Sequence, residues 1–166
     1  MSVQLLANVV IGLALVGFLA YRQATWQYLD PARIWRTPLV MAVIGVVVLA
    51  QTKATITTTD IVFLGIEALI SVGIGLTMGR ITSFRTAGTP DDKGRTLQSR
   101  TGALGAVLWF VLIAVRVGLD ALGGQMGAHL LTSTGAILLM LAINRAARAL
   151  VLDQRIPERT SGMMVR

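Results

Sequence analysis

The chain has 166 residues, of which 54% are hydrophobic and only 14% charged, and its formal net charge is +7. Its apolar stretches are too long for strands or ordinary core helices, and the charges gather between them, which excludes an ordinary soluble domain and points to a polytopic membrane protein. The positive charge reads as Arg and Lys held on the cytoplasmic side of a bilayer, since no separate basic domain or aromatic-basic groove marks a nucleic-acid surface. With no cysteine, structural disulfides, thiol exchange and thiolate metal sites are excluded as well.

A bilayer span takes roughly 20 mainly apolar residues. On that criterion five segments are expected to cross, which makes the fold an all-α polytopic membrane helical bundle. The first is Val3 to Tyr21, uncharged, with no basic stretch before it and Phe18 where a cleavage site needs a small residue, so it reads as a retained anchor. The second, short, runs from Pro38 to about Ala50, and Pro38 suits a first helical position. The third is Ile61 to Gly79, opened by Asp60, whose carboxylate suits the positive end of a helix dipole. The fourth is Thr101 to Leu119 and the fifth Gly127 to Ala147. Residues 1–152 are expected to form one transmembrane domain and residues 153–166 a basic, flexible cytoplasmic tail with Pro157.

Charge sets the orientation. Arg22, Arg33 and Arg36 lie between spans one and two; Arg80, Arg85, Lys93, Arg95 and Arg100 between three and four; Arg145, Arg148, Arg155, Arg159 and Arg166 towards the C-terminus. With five spans all of these share one side, Lys53 alone is opposite and Arg116 lies within span four, so the N-terminus is expected outside and the C-terminus inside. Trp26, Tyr28 and Trp35 among the first arginines fit rings at headgroup depth. Between spans three and four, "TPDDKG" has the Pro, Asp and Gly chemistry of a turn, so a short cytoplasmic β-hairpin is expected there. Asp91 and Asp92 are adjacent carboxylates on that turn and too few ligands for Mg²⁺ or Ca²⁺; no metal and no cofactor are assigned.

Bilayer helices associate through small residues and polar side chains, because lipid tails are as apolar as leucine. Glu67, Ser71, Gly75 and Gly79 recur every fourth residue of span three. Gly102, Gly105, Trp109, Leu112, Arg116 and Asp120 follow one another at spacings of three and four in span four. Spans three and four are therefore expected to pack against each other along Ser71, Gly75, Gly79, Gly102 and Gly105. In the outer half, Glu67 and Arg116 fall at similar depth and are expected to pair. They are the first candidates for ligand binding or transport, with His129 and Ser133 near the outer end of span five. A competing arrangement turns Arg116 outward to Asp120 on its own helix and leaves Glu67 protonated.

The run from "GIGLTMGRITSFR" through "DDKGR" to "GALGAVLWFVLIAVRVGLD" resembles the central part of the CcdC-like bacterial integral membrane proteins, small polytopic chains of largely uncharacterised function. The resemblance covers residues 60–120 and falls on Gly75, Gly79, Arg80, Gly94, Trp109 and Arg116. It implies a multi-pass protein of the bacterial cytoplasmic membrane, and the lack of cysteine speaks against a direct thiol role in the cytochrome c maturation setting of that family's name. The expected partners are the lipid bilayer, anionic lipids at the cytoplasmic face, and a membrane protein or second copy of the chain; nucleic acid is not among them. No paired carboxylates within a span, nucleophile-base combination or metal-ligand cluster marks an enzyme. The expected function is a non-enzymatic accessory, sensory or immunity-type component; the alternative is a small transporter or proton conductor using Glu67 and Arg116.

Overall fold

The computed structural model describes residues 17–18, 21, 25–52 and 56–163. Four helices account for most of them: α1 (Arg36–Gln51), α2 (Thr58–Ile81), α3 (Gly102–Gln125) and α4 (Thr134–Met163). A 3-10 turn, Pro31–Arg33, precedes α1, and three short strands complete the elements: β1 (Gln27–Tyr28), β2 (Ser83–Thr86) and β3 (Leu97–Arg100). Three helical stretches, Thr58–Ile81, Gly102–Gln125 and Thr134–Ile156, are long and apolar enough to cross a membrane, whereas α1 is apolar but shorter. The first expected span, Val3 to Tyr21, lies outside the described residues except for Gly17, Phe18 and Tyr21.

Chain contacts divide the protein into two compact units, where composition led us to expect one domain over residues 1–152. One holds Ile81–Val107 with the described part of Met1–Leu29. Its three strands form an antiparallel sheet in the order β1-β3-β2. The expected hairpin is present: Ser83 lies opposite Arg100 and Thr86 opposite Leu97. Its turn closes with Gly94 at φ 72°, a conformation that needs glycine, and with the Gly94 N–H donating to the Asp91 carbonyl at 2.8 Å. Asp91 also accepts from the N–H groups of Lys93 and Arg95 and from the Arg95 guanidinium. The hydrogen bond from Arg95 is the main reason its carboxyl is held down at about 2. The third strand was not expected. Gln27 and Tyr28 pair with Ser99 and Gln98, and the Tyr28 hydroxyl donates to the Thr89 carbonyl at 3.2 Å.

The other unit comprises Asp30–Arg80 and Leu108–Arg166. Helix α4 is its most enclosed member: 44% of its apolar stretch is buried, against 22% in α2 and 11% in α3. Gly135 meets α1 so closely that a Cβ there would stand 2.7 Å from the Leu49 nitrogen, and one on Gly45 would stand 3.0 Å from Leu139. Positions 135 and 144 are about 180° apart at 3.6 residues per turn, so α4 offers α1 one face and α2 the opposite one. On that second face, Cβ atoms added to Gly75 and Gly79 would stand 2.9 Å from Ala147 and 2.7 Å from Val151, and buried Asn144 donates to the Ser71 carbonyl at 2.9 Å. The order of these contacts makes α4 antiparallel to α1 and parallel to α2.

This corrects the expected partner of the glycine stripe. Gly75 and Gly79 pack against α4, not against Gly102 and Gly105 of α3. A spacing of four advances about 40° around a helix at each step, so from Glu67 to Gly79 the stripe turns about 120°. Glu67 therefore faces α3 while Gly75 and Gly79 face α4. Gly102 instead serves the backbone, at φ 75° with open space where a Cβ would stand; Gly105 is buried. Contact between α2 and α3 runs through larger side chains: Ile74, Met78 and Leu112 form a buried cluster against Ile70, Leu108 and Trp109.

Helix α4 departs from expectation at both ends. It begins at Thr134 rather than Gly127, because α3 closes in a Schellman turn at Gly127 (φ 82°) with Ala128 N–H donating to the Gly123 carbonyl at 2.8 Å, and the Leu130 N–H and Leu131 carbonyl then bond to Asp60 and Arg116. It continues to Met163, past the boundary expected at 152. Tertiary bonds tie it down there: the Trp35 indole donates to Asp153 at 3.4 Å, and Arg155 donates to the carbonyls of Gly79 and Arg80 at 2.8 and 2.7 Å. The Arg155 bonds also satisfy the orphan carbonyls that end α2.

Candidate functional site

The candidate site lies at the end of this unit away from Trp35 and Arg155, where α2 begins and α3 ends. Thr57 caps α2, its hydroxyl accepting the Asp60 N–H at 3.1 Å, while the Asp60 Oδ2 accepts the Thr57 N–H and hydroxyl at 2.9 and 2.7 Å. This is the reciprocal arrangement of a capping box. The other oxygen of Asp60 reaches across the fold and accepts the Leu130 N–H at 2.9 Å. Asp60 is fully buried, and so is Leu131. Sequence reading gave Asp60 a dipole role; here it also anchors the segment joining α3 to α4.

Beneath that segment Arg116 joins three elements. Its Nη1 donates to Glu67 Oε1 on α2, its Nη2 donates to the Leu131 carbonyl at 2.7 Å, and its Nε stands 3.7 Å from Asp120 Oδ2 one turn along α3. Arg116 thus meets both of the carboxylates weighed as its partner from the sequence. Glu67 is 3% exposed, and Gly123 allows Leu131 to close over α3, since a Cβ there would stand 2.8 Å from the Leu131 side chain. One oxygen on each carboxylate, Glu67 Oε2 and Asp120 Oδ1, is buried without a hydrogen-bond partner. Such atoms are costly, because burial removes water without supplying a donor.

His129 is exposed and stands outside this group. Ser133 is the N-cap of α4, its hydroxyl accepting the Ala136 N–H at 3.3 Å, so it serves its own helix. Three participants escaped the sequence reading as members of the site. Asp120 was seen only as a competitor for Arg116, although its position four residues on was the available signal. The Leu131 carbonyl carries no side-chain signal. Asn144, a lone amide in an apolar helix, was the sign of the polar contact to α2.

In the sheet unit, Arg85 lies over the Trp26 ring at 4.2 Å from its centroid and Arg100 at 5.8 Å, while Arg95 lies 5.9 Å from the Tyr28 ring. Of the aromatic rings expected at headgroup depth, Trp26 and Tyr28 therefore sit among arginines of β2, β3 and their turn, whereas Trp35 bonds to α4.

Helices long and apolar enough to cross a membrane, with an ion pair enclosed between two of them, define a helical membrane protein. No family model, no curated protein and no solved structure matches this chain.

Proposed function

We propose that the chain is a five-span protein of the bacterial cytoplasmic membrane, N-terminus outside and C-terminus inside, related to the CcdC-like proteins and acting without catalysis. The pairing of β1 with β3 carries the topological part. Residues 27–28 and 97–100 share one sheet and so share one side of the bilayer. The chain between β1 and β2 must then cross twice or not at all, and with α2 long enough to cross, α1 crosses too. That side holds the arginine-rich connections, which by charge retention is the cytoplasm. The arginines around Trp26 and Tyr28 support contact with anionic lipid headgroups, and the helices act on a membrane-protein partner or a second copy.

Single cysteines test this topology, since the natural chain has none. In intact cells a cysteine at exposed Ile56 is expected to react with a membrane-impermeant thiol reagent, and one at exposed Thr89 to react only after permeabilisation. Reaction of Thr89→Cys in intact cells would refute the orientation.

A second reading, conduction of protons or a small solute, is favoured by the partnerless oxygens of Glu67 and Asp120. Reconstituted in liposomes, the protein would dissipate a proton gradient, and Glu67→Gln would abolish the flux. Equal leak with and without protein would remove this reading.

A further inference from the structure

We propose that Glu67 and Asp120, bridged by Arg116, hold one exchangeable proton between them. The inference rests on the conduction reading of this group and names the species it binds. Two carboxylates and one guanidinium sum to one net negative charge when all are ionised. Glu67 is almost wholly buried while Asp120 keeps 23% of its side chain exposed, so the negative charge is disfavoured chiefly at Glu67, and each carboxylate in addition keeps a buried oxygen with no donor. One proton removes the net charge, and it turns one of the two partnerless oxygens into an O–H donor, which a carboxylate lacks. Arg116 remains charged and pairs with whichever carboxylate stays ionised.

Among the described residues, the surroundings leave few other titratable groups to answer for the charge. On α2, Asp60 differs from Glu67 in that it accepts hydrogen bonds on both of its oxygens, from Thr57 and from Leu130, and needs no proton to be satisfied. The segment between α3 and α4 brings the Leu131 carbonyl to Arg116, and its His129 is exposed. Helix α4 offers no titratable side chain from Thr134 to Asn144, its first being Arg145, and α1 offers none after Arg36.

Infrared difference spectroscopy of the full chain in lipid nanodiscs tests the proposal through the carbonyl stretch of a protonated carboxyl, which shifts in D₂O. Wild type is expected to show one such band at neutral pH that disappears as the pH is raised. Glu67→Gln and Asp120→Asn are each expected to abolish it, because an amide supplies the N–H in place of the proton, and Asp60→Asn to keep it. Helical circular dichroism monitors the fold of each variant. Absence of a protonated-carboxyl band in the wild type near neutral pH would overturn the proposal by itself, whatever the variants do; so would a band that survives both Glu67→Gln and Asp120→Asn. The result is separate from flux, since a titrating band in a protein that does not conduct refutes the conduction reading while the bound proton stands.

Discussion

Replacing Arg116 with Met is expected to destabilise the folded protein by about 3–5 kcal/mol, the cost of leaving a buried charge without its partner. The side chain donates to Glu67 and to the Leu131 carbonyl and lies beside Asp120, so its loss strands acceptors on α2, on α3 and in the segment above them. Glu67→Leu is milder, because Arg116 keeps Asp120 and the Leu131 carbonyl, and Glu67→Gln milder again, because the amide still offers an acceptor to Arg116. In the double variant Arg116→Met with Glu67→Leu, only Asp120 is left to be neutralised by protonation. The double loss is therefore expected to fall short of the sum of the single losses by about 0.5–3 kcal/mol, the usual range for residues in contact. Unfolding of the variants in mixed micelles measures the cycle, and strict additivity would mean that the contact contributes nothing.

The second large effect concerns the helix crossings. Gly75→Ala and Gly135→Ala are each expected to cost about 1–3 kcal/mol, as overpacking does where neighbours cannot yield. A methyl group at Gly135 would press on the Leu49 backbone, and one at Gly75 on the main chain at Asn144 and on Ala147. Gly73→Ala, two residues away on α2, meets nothing and should stabilise by up to about 1 kcal/mol through helix propensity. Opposite signs at Gly73 and Gly75 in thermal melts are the expected result. Equal effects at the two positions would refute the close approach of α2 to α4. A cost at Gly135 tests the crossing of α1 and α4 separately, because Gly135 meets Leu49 of α1 whereas Gly75 meets Asn144 and Ala147.

Much of the site was legible because its signals are local or follow from depth. Glu67 and Arg116 are isolated charges in apolar runs joined by a short connection, so a hairpin brings them level without further knowledge of the fold. The turn at Asp91 to Gly94 was legible from its own residues. The glycine stripe was legible as a packing surface, but its partner was not. A period of four says which side of α2 is small, whereas the helix that fills it depends on how the stripe winds around α2 and on where α4 lies. The start of α4 was missed for a related reason: Leu130 and Leu131 raise the hydropathy of a span, yet they are buried in a connecting segment whose backbone bonds to Asp60 and Arg116.

By itself, then, the sequence determined the class of protein, three of its long apolar helices, the hairpin and the two opposite charges that had to meet, because run length, turn chemistry and the cost of a lone buried charge are properties of the chain alone. Tertiary structure decided that α4 receives both α1 and α2, that β1 completes the sheet, and that Asp120 and the Leu131 carbonyl join Glu67 around Arg116. Each of these depends on groups far apart in the chain, and a backbone carbonyl or a glycine surface carries no mark of its partner until the helices are in place.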